Sequence, residues 1–139
     1  MTPAQIHRVQ ESFKKVAPHA ELAARMFYDR LFVIAPQVKP LFHGDISEQG
    51  RKLMSTLAVV VNGLTNLEAI LPAAKSLAVK HVGYGVQPDH YKPVGEALVW
   101  TLQEALGDAL DGETRDAWIE AYTLLSGVMI SEAYGRATA

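Results

Sequence analysis

Apolar residues recur every three or four positions along nearly the whole chain, and alternation of period two is essentially absent. A period near 3.6 gathers such residues on one face of a helix, whereas a half-buried strand needs strict alternation. The expected fold class is therefore all-α, with about seven helices joined by short connections. Ile6, Val9, Phe13 and Val16 form the first stripe, with Thr2 as N-cap, Pro3 in the first turn and Gln5 completing a capping box. Pro18 breaks that helix and begins the next, in which Ala20, Ala24, Phe27, Leu31 and Ile34 share a face. Pro36 and Pro40 bracket a short stiff segment ending in Leu41-Phe42.

After the turn residues His43-Gly44-Asp45, Ser47 is the expected cap of a third long helix carrying Leu53, Leu57, Val60 and Leu64. Thr65 and Glu68 make a second capping-box pattern, ahead of the stripe Ile70, Ala74, Leu77 and His81 that Gly83 and Gly85 stop. Pro88 opens a helix through about Gly107, with Val94, Leu98 and Leu102 or Ala105 facing inward. Asp111 caps the last helix, where Trp118, Tyr122, Leu125 and Met129 repeat at three and four.

Composition bounds the function. With 139 residues, no repeat and no linker, a single domain over 1–139 is expected. A hydrophobic share of 49 % excludes a disordered acidic or polar chain, and a net charge of −2 gives no electrostatic footprint for nucleic acid. The absence of cysteine excludes disulfide scaffolds, zinc knuckles and thiol catalysis. The longest purely apolar run, residues 57–61, is too short to span a bilayer, and the opening residues lack a secretory pattern. No membrane association and a cytoplasmic location are the expectation.

Among the histidines, His7, His19 and His90 fall near helix starts and read as surface residues. His81 differs, because it extends an apolar stripe in a last helical turn. A histidine there is more often a satisfied core residue than a ligand; the two glycines that follow, which let the chain turn away, favour the ligand. A zinc site wants three or four protein ligands, and no second histidine or carboxylate stands at helical spacing from His81. A haem iron needs one axial histidine, since the porphyrin supplies four nitrogens. Tyr28 and Gln49 are candidates for the opposite side, Gln49 lying one turn before Leu53 on the same face. Taken alone, a tyrosine with its hydroxyl in water and an exposed glutamine remain the ordinary reading. Ser126 and Gly83-x-Gly85 suit helix packing and chain reversal better than a nucleophile or a phosphate cradle, and Tyr84, Tyr91 and Trp100 read first as packing residues.

These residues, taken in order, resemble the bacterial single-domain globins and the haemoglobin domain of flavohaemoglobins. The resemblance rests on Phe27-Tyr28-Asp29-Arg30-Leu31-Phe32, Lys39-Pro40-Leu41-Phe42, Asn66-Leu67 through Leu71-Pro72, Val79-Lys80-His81, Pro88-x-x-Tyr91-x-x-Val94-Gly95-Glu96 and Asp116-Ala117-Trp118-x-x-Ala121-Tyr122. It implies a globin fold around haem b (iron protoporphyrin IX), with His81 as the proximal iron ligand. It also implies Tyr28 and Gln49 as distal hydrogen-bond donors, Phe42 against the porphyrin and Leu53 over the iron. Phe27, Leu57, Leu77, Lys80, Tyr84, Val86, Tyr91 and Val94 are the remaining haem contacts it implies.

By the same resemblance the chain binds dioxygen tightly and reversibly, for storage, delivery or transport, and takes nitric oxide and carbon monoxide at the same place. Nitric oxide dioxygenation is the alternative. The family's flavin and nicotinamide domains have no counterpart before Ala139, so turnover is expected to use an external reductase. The family also pairs the tyrosine matched by Tyr91 with a glutamate in the last helix. Ungapped from Trp118, that place falls on Ala133, with Glu132 about 100° away around the helix, so strong electron push onto His81 is not expected.

Overall fold

The computed structural model describes residues 1–42, 45–83 and 88–131. Six α-helices follow one another as α1 (Pro3–Val16), α2 (Ala20–Ile34), α3 (Ile46–Asn62), α4 (Leu67–Gly83), α5 (Tyr91–Leu106) and α6 (Gly112–Ile130). Short 3₁₀ turns over Ala17–His19, Pro36–Leu41, Pro88–His90 and Gly107–Ala109 serve as joints. The prolines explain most of them: Pro18, Pro36 and Pro88 each sit in the opening of a tight turn, where a missing N–H costs nothing. Among the described residues no strand occurs, and the all-α expectation holds.

Helix starts follow local chemistry. The Thr2 hydroxyl accepts from Gln5 N–H at 3.2 Å while Gln5 Oε1 accepts from Thr2 N–H at 2.8 Å, the reciprocal pair expected at α1. Asp111 Oδ1 accepts from Thr114 N–H at 2.7 Å and caps α6, also as expected. At α3 the cap is Asp45, whose carboxylate accepts from Ser47 N–H at 2.9 Å. The sequence offered both residues two positions apart, and the Asp45 side chain took the place expected for Ser47. At the next joint, α4 begins at Leu67, and Leu64 lies in the turn beyond α3, buried rather than helical. Of the two inward alternatives on α5, Leu102 is buried and Ala105 exposed.

The helices pack as α1 on α6, α2 across both α3 and α5, and α4 on α6. One core joins Val9 and Phe13 of α1, Phe27 and Leu31 of α2, Leu98 and Leu102 of α5, and Trp118 of α6. Phe13 and Trp118 rings meet at 6.3 Å, and the buried indole N–H donates to Ser12 Oγ at 2.8 Å, so the largest core side chain buries no unmet donor. A second, smaller cluster holds Ala78, Tyr91 and Met129, where α4, α5 and α6 meet.

One crossing sets the rest. A Cβ at Gly50 would stand 2.8 Å from Ala24 Cβ, so α3 approaches α2 more closely than two side chains allow. Ala24 and Tyr28 lie four residues apart on α2, and Gln49 adjoins Gly50 on α3. The bare α-carbon therefore brings the two expected distal residues together.

Candidate haem site

Tyr28 is only 5 % exposed, in the main core of the molecule. Its hydroxyl donates to the main-chain carbonyl of Gln49 at 3.4 Å, a long and weak bond. Burial pushes the phenol up to about 12, so the O–H stays a donor throughout the neutral range. The reading of this hydroxyl as lying in water is thereby overturned. The Gln49 side chain is half-buried, with no hydrogen-bond partner for its amide among the described residues.

Aromatic rings surround the phenol. Phe27 meets Tyr28 edge-on at 5.0 Å, and Phe42, presented by the 3₁₀ turn after α2, does so at 5.3 Å. Leu53 and Leu57 of α3 and Val94 of α5 pack on the same core yet remain half-buried. Leu77 on α4 is likewise half-buried, packed on the second cluster. Apolar surface thus stays partly uncovered on α3, α4 and α5.

His81 lies in the last turn of α4, half-buried. Its Nδ1 stands 2.8 Å from the Leu77 carbonyl oxygen. A carbonyl only accepts, so Nδ1 carries the hydrogen and Nε2 keeps its lone pair. Burial lowers the ring's basicity, and the bond to Leu77 partly opposes this. Tyr91 packs beside it with ring centroids 6.3 Å apart and planes 21° from parallel. A neutral imidazole whose Nδ1 is fixed by a main-chain carbonyl has the chemistry of a haem-iron ligand.

Two residues on this side were not read from the sequence as parts of the site. Tyr122 of α6 donates its hydroxyl to the Tyr91 carbonyl at 2.5 Å, and burial and the neighbouring Tyr91 phenol raise its pKa. Gly95 makes room for it: a Cβ there would lie 2.6 Å from Tyr122 Cε2. The spacing Tyr91-x-x-x-Gly95 was visible; that a ring from another helix crosses it was not.

Lys80 is exposed at the end of α4. Tyr84 and Val86, which complete the expected haem contacts, and Glu132, Ala133 and His43 lie outside the described residues. His7 and His19 are exposed as expected, whereas His90 is half-buried in its 3₁₀ turn, correcting its reading as a surface residue. Ser126 Oγ donates to Thr123 O on its own helix. Among the described residues no helix is long and apolar enough to cross a membrane.

Comparison with known proteins adds a family. The globin family model matches residues 25–129. The chain is 36 % identical over 118 residues to a flavohemoprotein of Halalkalibacterium halodurans, an alignment covering 83 % of this chain and 29 % of the relative. It is 34 % identical over 128 residues to a flavohemoprotein of Rhodopirellula baltica, covering 90 % of this chain and 31 % of the relative. The chain thus spans about three-tenths of the length of these relatives. A bacterial globin from Campylobacter jejuni superposes with a TM-score of 0.87 at 25 % identity, over 99 % of this chain and 100 % of that one.

Proposed function

Because the chain belongs to the globin family, we propose that it binds haem b and uses it to take up dioxygen reversibly and tightly. The observation that carries this reading is the buried Tyr28 hydroxyl, protonated at neutral pH and close to Gln49, in a chain whose His81 has its Nδ1 fixed by the Leu77 carbonyl. Haem supplies the ferrous iron to which a diatomic gas attaches.

The chain's own residues do the remainder. His81 would hold the haem iron through Nε2, while the Leu77 carbonyl fixes the ring's tautomer and rotation. Phe27, Phe42, Leu53, Leu57, Leu77, Tyr91 and Val94 supply apolar contact with the porphyrin and exclude water. Exclusion of water limits oxidation of the iron. Tyr28 O–H and the Gln49 amide would be the hydrogen-bond donors available to a polar diatomic ligand on that side. Each hydrogen bond to a charged acceptor is worth roughly 1.5–3 kcal/mol, or about tenfold or more in the rate of release. Nδ1 on a neutral carbonyl favours gas binding over chemistry that needs strong electron donation through the histidine.

A second reading draws on the similarity to flavohemoproteins. The same donors serve nitric oxide dioxygenation, in which dioxygen, nitric oxide and one electron give nitrate. The electron would come from a reductase.

An absorption spectrum of the purified chain, oxidised, reduced and exposed to carbon monoxide, tests the common premise. A Soret band with a five-coordinate ferrous form that shifts with carbon monoxide is expected; no Soret band after haem is supplied would end both readings. Tyr28→Phe should then speed dioxygen release at least about tenfold by stopped flow, and an unchanged rate would remove Tyr28 from its role. Steady-state nitric oxide consumption with an added reductase separates the two functions.

A further inference from the structure

Among the described residues the Tyr28 hydroxyl is held only weakly, by one hydrogen bond, so something else must fix its ring. The 3.4 Å contact to the Gln49 carbonyl is too long to orient a phenol. Phe32 follows Tyr28 by one turn on α2, and the two rings stack at 6.1 Å with planes 29° apart. Phe42 meets Tyr28 edge-on at 5.3 Å and Phe32 edge-on at 5.4 Å. Each of the three rings therefore touches the other two. Ring quadrupoles favour such offset and edge-on geometries, so a closed triangle resists rotation of any one member. Lys39 Nζ lies 5.9 Å from the centroid of the Phe32 ring, where a cation is attracted to the π-face. Phe32 itself is half-buried, so its place at the edge of the core does not by itself account for an aromatic ring.

We propose that Phe32 is a positioning residue for the distal donor: its ring, braced by Phe42 and covered by Lys39, holds Tyr28 so that the hydroxyl points toward Gln49 and the gas ligand. The inference rests on the reading of Tyr28 as that donor, and its test separates the two.

Four proteins suffice: wild type, Phe32→Leu, Phe32→Tyr and Tyr28→Phe. In the haem-free chain, nuclear Overhauser contacts between the Tyr28 and Phe42 rings report position without any haem. In the haem-loaded chain, the carbon monoxide stretching frequency reports donation by Tyr28. Phe32→Leu should lose the ring contact and move the stretch most of the way to the Tyr28→Phe value. It should also raise dioxygen release at least about threefold, a part of the effect of deleting the hydroxyl. Phe32→Tyr keeps the ring and should match wild type in both measurements. Should Phe32→Leu fail to fold, Phe32→Met takes its place. A leucine variant that melts lower but keeps the ring contact and the stretch would reduce Phe32 to a structural role and overturn the proposal; so would a tyrosine variant that behaves like leucine. If Tyr28→Phe itself leaves the stretch at the wild-type value, Tyr28 is not the donor, and the ring contact alone then decides whether Phe32 positions it.

Discussion

The two sides of the candidate site are built differently. Tyr28 and the rings of Phe27 and Phe42 belong to or pack on the main core, shared by five helices. His81 and Tyr91 lie by a small cluster whose buried members are Ala78, Tyr91 and Met129. On the distal side, side-chain packing sets geometry, and the bond from the Tyr28 hydroxyl to the Gln49 carbonyl is long. On the proximal side, short bonds to main-chain carbonyls do so: His81 to Leu77 at 2.8 Å and Tyr122 to Tyr91 at 2.5 Å. The lesson is that a gas-binding donor gains from rigidity it shares with the whole fold, whereas a metal-ligating ring needs a directed bond that fixes its tautomer.

The largest effect belongs to the proximal side. His81→Ala should abolish the five-coordinate ferrous spectrum or haem binding altogether, while the circular dichroism of the main core is kept. Full retention of that spectrum would break the assignment of the two sides.

Next comes alkaline stability, which probes the distal side without haem. The Tyr28 phenol holds its proton to about pH 12 in the fold, against about 10 in an unfolded chain. Between those values the unfolded state binds fewer protons than the native one, so stability falls as pH rises. The two-unit difference is worth about 2–3 kcal/mol by pH 12. Tyr122, shifted in the same direction, contributes to the same wild-type decline. Denaturant titrations at pH 9 and pH 12 should show a smaller drop for Tyr28→Phe than for wild type; equal drops would mean that Tyr28 is not buried as described.

The glycines sharpen the contrast most finely. Gly50→Ala presses a methyl on Ala24, and Gly95→Ala presses one on the Tyr122 ring. Each should cost about 1–3 kcal/mol, the usual range for overpacking. Their spectroscopic effects should part company. Gly50→Ala should speed dioxygen release and leave the iron–histidine stretching frequency alone, while Gly95→Ala should shift that frequency and spare the release rate. Matching effects from both would show that the two sides are one mechanical unit.

How far the sequence reached is clear from particular residues. Thr2, Gln5 and Asp111 announced their helix ends correctly because capping is a contact between near neighbours in the chain. Where two local candidates competed, as Asp45 and Ser47 did, spacing could not choose between them. The stripe carrying His81 was legible at helical period, and Tyr28 with Gln49 through likeness to a family. Phe32 was legible in part, since i and i+4 share a face, but nothing local showed that Phe42 would close the triangle.

Apolar period, prolines and caps by themselves determined that this chain is a set of helices of roughly these lengths, because each rests on contacts within four residues. Only the tertiary structure decided that Gly50 lets α3 close on α2, that Gly95 admits the Tyr122 ring, and that the Tyr28 hydroxyl leaves water for the Gln49 carbonyl. Those outcomes depend on which surfaces meet between residues 21 to 27 positions apart in the chain, and close packing between helices, not propensity within them, selects the partners.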